Sequence, residues 1–187
     1  MIINDFTFTE RNTNTVIEGI INHVAQTKDD ANVKLFQRCE EGDTTQLKEV
    51  TPDECPACIV WRSELQESEW QGVQSMTSYD NFGLDFELIF YCPPTDTTEN
   101  VAVFIENVRR AFIKKLEYPD AVHTTGYSFP TNDAGEIVAV PDNPQIVTSR
   151  RKRTYRKGNQ ERDLPEHFHC VLVSTKWTTL YADGEST

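Results

Sequence analysis

Between Phe82 and Leu116 the hydrophobic period of the chain changes once, and that change restricts what it can fold into. Phe82, Leu84, Phe86, Leu88 and Phe90 alternate with other residues. Residues two apart share a face of a strand, so these five make one fully apolar face. Asp85 and Glu87, then Ile89 and Tyr91, fall on the other face, which reads as wet at one end and covered at the other. Pro93-Pro94 ends the strand, because proline offers no N–H to a ladder. Val101, Phe104, Ile105, Val108, Phe112 and Leu116 then follow the spacing of one helical face, over about 97–116. Thr97 or Thr98 with Glu99 places a cap and a negative charge at its start. Arg109, Arg110, Lys114 and Lys115 place positive charge at its end, so both ends suit the helix dipole.

The remaining elements are shorter. Val16, Ile17, Ile20, Ile21 and Val24 predict a helix over about 14–26, with Thr13, Asn14 or Thr15 as its cap. Segments 33–39 and 58–65 read as strands separated by an acidic loop over 40–54, and 66–81 as a connection. His167–Trp177 is a strand that 178–181 extends. Residues 119–165 carry Gly126, Pro130, Gly135, Pro141, Pro144, Gly158 and Pro165, with strand-like pieces at 122–129, 136–140 and 145–148. They read as an extended arm or hairpin insertion. The expected class is α+β, a single domain over 1–187. It has a mostly antiparallel sheet of about four strands and two helices packed on one face, plus the long irregular or hairpin arm. The second helix should lie on the Phe82–Phe90 face.

A chain of 187 residues can bury a sizeable core without staples. Its net charge of −12 argues against general nucleic-acid binding and against an anionic membrane surface. No apolar run is long enough to span a bilayer. Met1-Ile-Ile-Asn-Asp-Phe6 lacks the basic and apolar regions of a signal peptide, so synthesis in a cytoplasm is expected.

Motifs for covalent chemistry are sparse. The five cysteines, Cys39, Cys55, Cys58, Cys92 and Cys170, do not form a secreted disulfide framework. Cys55-Pro-Ala-Cys58 is preceded by a loop and followed by a strand, the reverse of a thioredoxin-like context. As a metal site it lacks a second pair; Cys39 with His167 or His169 could complete it only through the fold. His167 and His169 should share a strand face, without a third ligand at suitable spacing. Asp85 and Glu87, and the cluster Glu64, Glu67 and Glu69, read as a solvated or intersubunit acidic face. There is no G-x-S-x-G, Walker A, G-x-G-x-x-G or H-E-x-x-H motif. No catalytic residue, metal or cofactor is expected.

The sharpest surface feature is Ser149–Gly158. Arg150, Arg151, Lys152, Arg153, Arg156 and Lys157 put six cations into eight residues with no acid among them. Of 18 basic residues these are a third; the remaining 12 face 30 acids, a balance of −18. Such a block suits a phosphate backbone or an acidic surface, including that of a neighbouring copy.

The element order, with "PACIVWRSEL", "FGLDFELIFYC", "ENVAVFIENVRRAFIKKL" and "HCVLVSTKWTTLYAD", resembles the tail terminator proteins of long-tailed bacteriophages over about 12–118 and 167–182. The resemblance implies a structural virion protein, not an enzyme, made in the host cytoplasm and residing in the tail or neck. It implies a ring of six copies that caps the tail tube, ends its polymerisation and joins tail to head. Partners would be the tube protein, a sheath protein and a neck or connector protein. A head–tail connector or head-completion protein is the alternative. Arg150, Arg151, Lys152, Arg153, Arg156 and Lys157 would meet a neighbouring subunit or the DNA passing through the lumen. Trp61, Trp70, Tyr79, Trp177 and Tyr181 are expected to be exposed at subunit interfaces.

Overall fold

A computed structural model describes residues 13–42, 49–62, 77–116, 129–131, 135, 137 and 139–182. The central element is β3 (Thr77–Tyr91), which begins five residues earlier than the Phe82 periodicity indicates. It is flanked by β2 (Ala57–Arg62) and β7 (Phe168–Ala182), both antiparallel to it. Outside these lie β1 (Arg38–Glu41), parallel to β2, and β4 (Ala139–Lys152), antiparallel to β7. The order is β1-β2-β3-β7-β4, so the main sheet has five strands where about four were expected. β5 (Thr154–Lys157) and β6 (Gln160–Asp163) form a separate hairpin. The class is α+β, and β1 is a later and shorter strand than the apolar residues Val33 and Leu35 suggest.

Both helices, α1 (Thr13–Ala25) and α2 (Thr98–Leu116), cover one face of the sheet. The main core joins Val16, Ile17, Ile20 and Val24 of α1 to Ile105, Val108, Phe112 and Leu116 of α2. Beneath them lie Cys58, Val60, Leu84, Phe86, Leu88, Phe90, Val171, Val173 and Trp177. These are the alternating residues of β2, β3 and β7, as a period of two requires. Phe112 sits edge-on to Phe36 at 5.8 Å and to Phe86 at 5.2 Å, the ring geometry that the aromatic quadrupole favours. Thr97 Oγ1 accepts the Asn100 amide at 3.3 Å and caps α2.

The opposite face of the sheet is also covered. Ala57, Ile59, Ile89 and Cys170 pack with Tyr155 of the hairpin and Trp61 of β2, with Val50, Cys55, Leu164 and Phe168 at the margin. One expectation therefore changes. Trp61 and Trp177 are buried, at 6% and 1% exposure, so neither is an exposed interface aromatic. Within the segment read as an arm or hairpin insertion, β4 adds a strand to the sheet and the β5–β6 hairpin closes its second face. The expectations for Trp70, Glu64, Glu67, Glu69 and the strand piece 122–129 fall wholly or mostly outside the described residues, as do those for the side chains of Phe82, Tyr79 and Tyr181.

Candidate functional site

The basic run starts on β4 and crosses onto the second face of the sheet. Strand alternation sorts its first residues. Arg151 pairs in register with Val171, on the helix-covered side, while Arg150 and Lys152 pair with Leu172 and Cys170, whose side is that of Glu87 and Ile89. At Arg153 the chain leaves the sheet and enters the hairpin, tied back by the Leu164 amide, which donates to the Arg153 carbonyl at 2.9 Å. Gly158-Asn159 is the two-residue loop, with Gly158 at φ 59°, a conformation that favours glycine at the first loop position.

This path carries Lys152 and Arg156 of the basic run onto the acidic pair of β3. Glu87 is fully buried. Lys152 Nζ donates to its Oε1 at 3.1 Å. Its Oε2 accepts from Trp61 Nε1 at 3.1 Å and from the Arg156 amide at 2.9 Å. Asp85 is 7% exposed; it accepts from Ser174 Oγ at 2.6 Å and from Arg156 Nη2 at 3.0 Å. The Arg156 guanidinium also lies 5.7 Å from the Trp61 ring centroid, a cation–π distance. Lys152 reaches Glu161 Oε1 of β6 at 2.9 Å, and Lys157 pairs with Glu49. Burial disfavours the Lys152 ammonium, yet hydrogen bonds and charge from Glu161 and Glu87 outweigh it and raise its pKa. Glu161 is lowered by the hydrogen bond from Lys152.

Asp85 and Glu87 therefore do not form a solvated or intersubunit acidic face. They are a buried, hydrogen-bonded pair, because isolated carboxylates there would carry a large desolvation cost. Of the six candidate contact residues, Lys152, Arg156 and Lys157 are engaged within the chain. Arg150, Arg151 and Arg153 are exposed, and among the described residues none of the three pairs with a carboxylate. The roles of Trp61, Ser174 and Glu161 escape a sequence reading. Only the Gly158-Asn159 dipeptide between two short charged runs signals the hairpin that brings them together.

The thiols and histidines are arranged differently from a ligand set. Cys55 precedes a cis bond to Pro56, at the entrance to β2. Burial pushes the Cys55 thiol up to about 12 and holds Cys58 well above its ordinary value, where the nucleophilic thiolate is scarce at neutral pH. Cys58 lies beside Cys39, its register partner on β1. His167 does not share a strand face with His169: it has φ 66° and precedes the first residue of β7. Among the described residues no three His, Cys, Asp or Glu side chains gather so as to hold a metal ion. No helix of the described residues is long and apolar enough to cross a membrane.

No family model matches this chain, and no curated protein matches it either.

Proposed function

We propose that this chain is a structural subunit of a phage tail, a tail terminator or neck component. It closes into a ring at the head-proximal end of the tail tube, ends tube growth and joins tail to head. The observation that carries the reading is the separation of charge over a sheet whose buried acidic pair is hydrogen-bonded within the chain. The buried ionisable groups Asp85 and Glu87 are consumed by Lys152, Arg156, Trp61 and Ser174. What the described surface offers instead is a short strip of arginines on an edge strand of a protein with net charge −12. Surfaces segregated in this way serve association between complementary faces. The packing plan also supports the resemblance in element order, with both helices on one face of a sheet built around its longest strands.

Ring formation is tested by the solution mass from light scattering, with negative-stain images of any large species. A closed ring, of six copies on this reading, is the expected result. A strict monomer at every concentration overturns a preformed ring.

A further inference from the structure

The two edges of the five-stranded sheet are β1 and β4, and they carry opposite charge. The exposed residues of β4 near its end are Arg150 and Arg151, followed by Arg153. On β1 the corresponding residues are Glu40 and Glu41, whose side chains are 44% and 39% exposed. An edge strand presents unpaired backbone donors and acceptors, and its charges decide what can pair with it. Like edges repel here and unlike edges attract.

Strand direction and facing agree with this. β1 runs parallel to β2, and the successive antiparallel pairs β2–β3, β3–β7 and β7–β4 leave β4 antiparallel to β1. A second copy turned about an axis along the strands keeps every direction, so its β1 meets β4 as an antiparallel neighbour with the helices of both copies on the same side. The charges then match face by face. Arg151, opposite Val171, and Glu41, opposite Val60, both lie on the helix-covered side. Arg150, opposite Leu172, and Glu40, opposite Ile59, both lie on the hairpin side.

We infer that β4 of one copy docks on β1 of the next, with Arg151 directly opposite Glu41 on the helix side and Arg150 diagonal to Glu40 on the hairpin side, as an antiparallel register requires. This seam is heterologous, so it generates a closed ring or a filament rather than an isolated dimer; the inference rests on the ring reading above. In the free subunit Glu41 pairs with the exposed Arg62, at 3.1 Å, and Glu40 pairs with Arg38. Exposed pairs of the Glu41–Arg62 kind contribute little and can exchange partners. A nucleic-acid partner is less favoured, because three arginines neutralise few phosphates while the acidic remainder of the protein repels the backbone.

The experiment is concentration-dependent light scattering of the full chain and three variants, R151E, E41K and the double variant R151E/E41K. Each single variant should weaken self-association by about tenfold or more, by setting like charges opposite, and the double variant should recover most of the loss. Thermal unfolding checks that each variant folds, and R151A with E41Q replaces any that does not. Wild-type rings with all variants assembling equally would overturn the seam and leave the ring reading standing. No self-association of the wild type would overturn both. Loss of binding to a random-sequence DNA duplex in R151E, with assembly unchanged, would assign the strip to nucleic acid and overturn the seam.

Discussion

Lys152 Nζ lies 3.1 Å from Glu87 Oε1, although the two residues are 65 apart in the chain. The ammonium is 10% exposed and the carboxylate is sealed from water. The pair is the bolt between the basic run and the sheet it covers. It has help from Glu161 on the lysine side and from Trp61 and the Arg156 amide on the glutamate side.

Removing the lysine leaves Glu87 buried with a negative charge and only neutral donors. Lys152→Ala should therefore cost about 3 kcal/mol in unfolding free energy, the scale for stranding one member of a buried pair. Lys152→Met combined with Glu87→Gln should recover at least half, since it removes both charges and keeps most of the volume. Urea midpoints measure both; a Lys152→Ala cost below about 0.5 kcal/mol would show that the pair is not structural.

Gly42 closes against the Trp61 ring. A Cβ built there would lie 2.5 Å from Cε3, Cζ3 and Cη2 of the indole. The ring cannot retreat easily, because its Nε1 is bonded to Glu87 and Arg156 lies over its face. Gly42→Ala should destabilise by about 1–3 kcal/mol through overpacking. A shift of Trp61 emission alongside the lower urea midpoint would report the displaced ring. An unchanged midpoint would mean that β1 yields instead.

His23 of α1 donates from Nε2 to the Lys115 carbonyl of α2 at 3.2 Å. Burial, then the nearby Lys115 charge, lowers its pKa from 6.5 to about 4, against a smaller upward effect of that hydrogen bond. The folded state therefore holds neutral histidine where the unfolded chain would bind a proton. This contribution is whole above pH 6.5 and is lost as pH falls from 6.5 toward 4. The slope from this one group is at most about 1.4 kcal/mol per pH unit. Urea midpoints of wild type and His23→Gln across that range should converge as pH falls, and a constant difference would exclude the histidine as the cause.

Much of the frame is legible in the sequence. The alternation from Phe82 to Phe90 and the helical spacing from Val101 to Leu116 are local signals. The packing of Phe112 on Phe86 follows from burying both apolar faces together. The acidic pair was misread for a definite reason. Asp85 and Glu87 alternate with apolar residues, which marks a half-solvated strand when nothing distant is considered. Their cover comes from Lys152, the last residue of β4, and Arg156 of β5, with α2 and nearly all of β4 lying between in the chain. Trp61 was misread with them, because an indole beside Arg62 gives no local sign that an arginine from β5 will close over it.

The sequence by itself determined the α+β class, the two helices, the long strand and the face on which α2 sits. Those follow from periodicity, which is written into neighbouring residues. Only the tertiary structure decided where the six cations of 150–157 go. Lys152 and Arg156 turn inward to Glu87 and Asp85, Lys157 pairs with the exposed Glu49, and three remain outward on or just beyond the edge strand β4. A charge has no period of its own. Whether it is spent inside the protein or offered to a partner depends on which distant carboxylate the fold brings within a few ångströms.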